Sequence, residues 1–216
     1  MRHPHLSMRH AHAALAFVAI FAGTATPAFA TNVALATTSG EAGYGQWQRF
    51  DVSDLDAVSG GTEWIDDSNS LAAGFGTPLS FSFTIGAGQV GQLTVVDAGF
   101  AGDTFLLFNA GASIGSTGPV AVTTIDTAAY LGEDFDAALA NASFSHAVLT
   151  LGAGSYQISG RLDQSVQAAG LPLNSTVGAV QLLTVSAVPE PATGLAMLAG
   201  LGLMGLRLRN RALLAR

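Results

Sequence analysis

Carboxylates are the residues of this 216-residue chain best placed to do chemistry. Asp51, Asp54 and Asp56 fall within six residues, Asp66 and Asp67 sit beside Asn69, and Glu133, Asp134 and Asp136 form a third group. Oxygen clusters of this kind suit Ca²⁺, which takes roughly six to eight oxygen ligands and tolerates irregular loops. None has the EF-hand spacing. The ordinary reading of each is therefore a solvated acidic loop, and no metal ligand is assigned. One structural Ca²⁺ site somewhere in the body is the single cofactor left open. Zinc is poorly supported, because the chain has no cysteine and His146 is the sole nitrogen ligand beyond the N-terminal segment.

Two short motifs imitate catalytic loops. Gly86-Ala87-Gly88-Gln89-Val90-Gly91 matches the dinucleotide-binding G-x-G-x-x-G. That loop must open a helix whose N-terminus holds pyrophosphate. Here Gln92-Leu93-Thr94-Val95-Val96 reads as a strand, so a hairpin turn is expected. Gly111-Ala112-Ser113-Ile114-Gly115 matches the G-x-S-x-G nucleophile elbow. The elbow needs a helix after the serine and a histidine base. Ser116-Thr117-Gly118-Pro119 cannot begin a useful helix, and His146 opens a strand-like segment. Two acids suffice for a glycosidase, but Trp47, Trp64, Tyr44, Tyr130 and Tyr156 show no clustering that would build its sugar platform. Catalytic and cofactor-binding residues are accordingly set at none.

The elements that must position these residues are short and β-like. Leu79-Ser-Phe-Ser-Phe-Thr-Ile85 alternates apolar and hydroxyl residues, the mark of a half-buried antiparallel strand. Further strands are expected over 92–96, 104–108, 120–125, 147–151, 155–160 and 177–185. Gly86–Gly88, Phe108–Gly111, Gly118-Pro119 and Gly152–Gly154 supply turns. Trp47, Phe50 and Trp64 would anchor an edge strand, and Gly60-Gly61 and Ser68–Ser70 read as loops. The one helix expected is 133–142, capped by Asp134 or Asp136, with Phe135 and Leu139 on its apolar side. Many short strands with Gly-rich turns predict an all-β fold: a β-sandwich of jelly-roll type with one short helix.

The two ends differ from the body. Arg2 and Arg9 precede the apolar run Ala13–Ala22, and Ala28-Phe29-Ala30 places small residues where a signal peptidase reads. Residues 1–30 are therefore a signal peptide, with cleavage expected between Ala30 and Thr31. Residues 31–187 form one extracytoplasmic domain. It carries two arginines, Arg49 and Arg161, against fourteen acids, a formal charge of −12 with His146 neutral, and no lysine. Such a surface repels nucleic acid and anionic lipid. The C-terminal run Ala192–Leu206 is 15 residues long. As a helix it reaches roughly 22 Å, short of the ~30 Å hydrocarbon core, so it spans only with thinning and snorkelling. Arg207, Arg209 and Arg211 follow it and fix its cytoplasmic end. Pro189 and Pro191 stop the helix from extending backwards and keep Val188-Pro189-Glu190-Pro191 extended.

This ending, a Val-Pro-Glu-Pro tag, an apolar span and an arginine tail over residues 188–216, resembles the PEP-CTERM sorting signal of Gram-negative bacteria. The resemblance implies recognition of the tag by an exosortase after transit through the secretion machinery. The C-terminal helix would hold the protein at the inner membrane before processing. Its final place would be the cell surface, outer membrane or extracellular matrix, alongside exopolysaccharide in biofilm. The expected function is that of an exported, non-catalytic protein. The alternative is a glycan-binding module, Ca²⁺-assisted, reading sugar through Trp47 or Trp64. A secreted hydrolase stands third.

Overall fold

A computed structural model of the chain describes residues 30–67 and 74–187. Ala28, the loop Ser68–Ser70, the sorting residues Val188–Pro191, the apolar run and Arg207, Arg209 and Arg211 lie outside the described residues. Among the described residues no helix is long and apolar enough to cross a membrane.

The first strands are β1 (Thr31–Ala34), β2 (Gln48–Ser53), β3 (Leu79–Ile85), β4 (Gln89–Phe100), β5 (Thr104–Asn109) and β6 (Ala112–Ser116). Next come β7 (Tyr130–Gly132), the helix α1 (Phe135–Leu139), β8 (His146–Leu151) and β9 (Gly154–Gln164). A small hairpin, β10 (Gln167–Ala168) and β11 (Leu171–Pro172), precedes the last strand β12 (Ser175–Ser186). The alternation in 79–85 gives β3 with the bounds expected.

The chain is one long antiparallel ribbon folded over on itself. β5 pairs β6, β4 pairs β8, β3 pairs β9 and β2 pairs β12. The ribbon's tip is the β5–β6 turn, where Ala110 and Gly111 both take positive φ (48° and 83°). A two-residue hairpin turn of this hand matches strand twist, and glycine is the residue that enters it without strain. Successive pairs fall alternately into two sheets, ordered β1-β3-β9-β5-β6 and β2-β12-β4-β7, with β8 also on β4. β1 joins β3 in parallel, and β7 meets β4 at Gly99 and Phe100, beyond the stretch paired with β8. The result is an all-β sandwich with little helix.

The inner faces bury one cluster that includes Phe50, Val52, Trp64, Phe81, Phe105 and Val180. A second cluster lies on the outer face of the β2–β12–β4 sheet. Val96, Ala98 and Ala179 pack there under Ala138 of α1 and Phe144. β4 is thus covered on both faces, with Leu93 and Val95 inward and Val96 and Ala98 outward, and every residue from Leu93 to Gly99 is buried.

One short segment ties the sheets together. Trp64 N–H donates to Gly160 O of β9 (2.9 Å) and Ile65 N–H to Asp51 O of β2 (2.8 Å). Trp64 itself is fully buried against the edge strand β2. It anchors that strand as expected, from inside the core.

Two expected elements differ. Residues 120–125 form no strand, only a parallel bridge at Thr124 to Gln167. Val122 is 54% exposed, the Thr123 hydroxyl donates to Ala101 O, and Pro119 has no N–H to offer a ladder. The apolar alternation there has no core to face. The helix is one turn, 135–139 rather than 133–142. Asp134 caps it, its Oδ1 accepting from Ala137 N–H at 3.0 Å. Asn141 then turns the chain back by accepting from Ser143 N–H.

Candidate functional site

The three acidic groups of the sequence do not each form a site. Asp54 accepts from the Asn174 side chain (2.9 Å), Asp56 from the Ser53 hydroxyl (2.6 Å), and Asp136 from the Trp47 indole (2.9 Å). Asp134 is spent on the helix cap. Among the described residues, no group of three or more His, Cys, Asp or Glu side chains is placed to hold a metal ion.

The fold instead gathers four acids drawn from all three groups, Asp51, Asp56, Asp67 and Glu133, into one groove with Arg49. In β2, Phe50 and Val52 turn inward, so Arg49, Asp51 and Ser53 turn outward together. The Arg49 guanidinium contacts Asp51 Oδ1 at 2.5 Å and Glu133 Oε1 at 3.3 Å. Asp56 and Asp67 complete the rim. These residues line a groove of about 310 Å³ together with Phe100 at the end of β4, Tyr130 of β7, and Thr176 of β12. Its size is at the lower end of small-ligand sites.

Burial pushes the Asp51 carboxyl up to about 6, and the Arg49 charge beside it only partly offsets this. Asp67 is also raised, by burial first and then by the nearby Asp56 charge. Tyr130 is 64% exposed and its ring leans on Phe100, centroids 4.7 Å apart and planes 47° inclined. The arrangement sets an exposed aromatic face beside charged hydrogen-bonding groups. A sugar ring asks for this combination: its C–H face lies on the ring and its hydroxyls reach carboxylate and guanidinium.

The other sequence candidates are dispersed. Trp64 is fully buried and offers no surface to a glycan, which corrects its expected part in sugar binding. Trp47 packs on Phe135 (5.9 Å between centroids) and donates to Asp136. Ser113 lies in β6 of one sheet and His146, exposed, in β8 of the other. Gly86–Gly91 makes the turn between β3 and β4, with Gly88 at φ 75°, and runs on as strand. Ala30 is exposed just before β1. Thr31 opens that strand, its N–H donating to Pro78 O at 2.9 Å. Phe100 is a groove residue that the sequence did not single out, and Tyr130 stood there only among aromatics with no visible clustering. They stand thirty positions apart, and nothing in either neighbourhood announces the pairing.

Comparison with known proteins adds the following. The family model for the PEP-CTERM protein-sorting motif matches residues 187–212. No curated protein matches the chain. The pre-peptidase C-terminal domain of a collagenase from Bacillus anthracis is similar in structure at 8% identity, with a TM-score of 0.35, over 73% of this chain and 97% of that one. The matched motif marks a protein that is exported in a Gram-negative bacterium, crosses the membrane and is sorted by an exosortase.

Proposed function

We propose that the sandwich is a non-catalytic surface or matrix protein, delivered by exosortase handling of its C-terminal signal and associated with extracellular polysaccharide. The observation that carries this reading is the matched sorting motif over 187–212. In it, Glu190 between its prolines presents the tag, a short apolar span holds the inner-membrane intermediate, and Arg207, Arg209 and Arg211 set its topology. The strongly acidic, lysine-free body supports a life away from nucleic acid. The nested pairing of β2 with β12, β3 with β9, β4 with β8 and β5 with β6 supports the jelly-roll form of the sandwich. The separation of Ser113 and His146 onto different sheets supports the absence of a serine-hydrolase centre. Replacing Glu190 by alanine tests the proposal. The mature mass and location should change, and unchanged processing would overturn it.

A second reading is favoured by the groove itself: a glycan-binding module that reads sugar through Tyr130 and the Arg49–Asp51–Glu133 set. A glycan array separates the two readings. Binding would make the module primary, whereas a blank array leaves the structural role.

A further inference from the structure

The least satisfied polar groups in the described structure lie outside the groove. Asp97 and Asp103 bracket the loop from β4 into β5, and both are fully buried. Neither oxygen of the Asp97 carboxylate has a hydrogen-bond partner, and Asp103 Oδ2 has none either. Asp103 Oδ1 accepts from Val166 N–H at 2.7 Å. Two carboxylates in a dry interior repel each other, and an unpaired buried charge is strongly unfavourable. Something must neutralise them.

The surroundings favour a hard cation. The chain bends between the two carboxylates; the backbone amides of Ala98, Gly102 and Asp103 lie near Asp97 and offset part of its charge, but none closes to a hydrogen bond with it. Gly99 (φ 71°) and Gly102 (φ 130°) make that bend. The Thr176 hydroxyl sits beside Asp103 and 3.4 Å from the Ala98 carbonyl. Every candidate ligand is oxygen, in an irregular loop, which is calcium's preference rather than zinc's. We propose that Asp97 and Asp103 hold a Ca²⁺ ion in the β4–β5 loop, with the Thr176 hydroxyl and the Ala98 carbonyl beside it.

The competing occupant is a proton. Burial, and then the Asp103 charge, pushes the Asp97 carboxyl up to about 9 without a cation. The site also has a consequence for the groove. Gly99 and Phe100, the last residues of β4 and between the two carboxylates in the chain, line the groove, so the ion fixes the ring on which Tyr130 leans. A buried site of this kind fills as the chain folds. The inference stands on the sandwich alone and is independent of how the protein is sorted or what the groove binds.

The test is thermal unfolding of the purified exported protein, stripped with chelator and then given CaCl₂. Wild type should gain about 5–10 °C at a hundredfold excess over Kd, and elemental analysis should find one calcium per chain. Asp97→Asn and Asp103→Asn should each lose the gain, while Asp67→Asn, on the groove rim, should keep it. A wild type indifferent to calcium and chelator would mean that a proton neutralises the pair, and would overturn the proposal. Full retention of the gain in both Asp97→Asn and Asp103→Asn would place the ion elsewhere and overturn it equally. If either variant fails to fold, the wild-type stoichiometry and the other variant decide.

Discussion

Trp64 lies flat on Phe50, ring centroids 3.9 Å apart and planes 16° from parallel. The pair fills the space between two glycines on opposite sheets. A Cβ at Gly160 of β9 would meet the Trp64 ring at 2.3 Å, and one at Gly178 of β12 would meet Phe50 Cζ at 2.3 Å. The sheets approach closely enough to clamp both rings only because those two positions carry no side chain.

Gly178→Ala and Gly160→Ala should therefore each destabilise the domain, by about 1–3 kcal/mol for an overpacked core. Gly178→Ala should be the worse, since its Cβ also meets the Val96 backbone carbonyl at 2.7 Å, which cannot swing aside as a side chain can. Denaturant midpoints of the two variants would check the order.

Trp64 Nε1 is buried without a hydrogen-bond partner. Trp64→Ala should cost about 3–5 kcal/mol, as large-to-small core changes do. Trp64→Phe should cost distinctly less than that, because it keeps the stack on Phe50 and removes an unsatisfied donor. Equal losses in chemical denaturation would refute this account of the site.

Asp51 makes stability depend on pH. Its folded pKa, about 6, lies above the ordinary carboxylate value of 3.8. The folded state therefore binds the proton more tightly than the unfolded chain does. The stabilising effect of that proton is fully present below pH ~4 and is lost as pH rises through about 6, a fall of at most about 3 kcal/mol. Asp51→Asn should flatten this segment of the stability curve. Arg49→Gln should move the Asp51 midpoint above 6, since Arg49 is what holds it down. Carbon-detected NMR titration of the carboxyl reads both.

If the groove binds glycan, Tyr130→Ala should abolish most of the binding while leaving the melting temperature near wild type, because this ring is 64% exposed. Base–aromatic and similar stacking contacts are worth about 1–3 kcal/mol, so a loss of roughly tenfold or more is expected by calorimetry. Trp47→Ala, away from the groove lining, should leave affinity unchanged.

Much of this was legible along the chain. The alternation of 79–85 gave β3 residue for residue, and the Asn109–Ala112 turn fell where its glycine stood. Asp134 was visible as a cap three residues before the amide it accepts. Each of these is settled by neighbours within a few positions. β6 was missed because Ala112–Ser116 is small, polar and largely exposed, so it has no face to alternate. Asp97 and Asp103 were passed over for the opposite reason. Each stands one residue outside an expected strand, 92–96 or 104–108, and only burial turns an ordinary aspartate into an unsatisfied one.

The sorting tag was the most legible feature, and for a physical reason. The motif is matched over one continuous stretch, 187–212, so its information is linear and complete in the sequence. The groove has no such linear signature. Ser53 and Ser175, paired in its lining, are 122 residues apart, and Arg49 meets Glu133 across 84 positions of chain. The sequence by itself determined that the chain carries a sorting motif and where several of the core strands run. Which strands pair, which aromatic is swallowed and which acids are left facing one another were decided only when distant segments packed, because those outcomes depend on burial, and burial belongs to the whole fold.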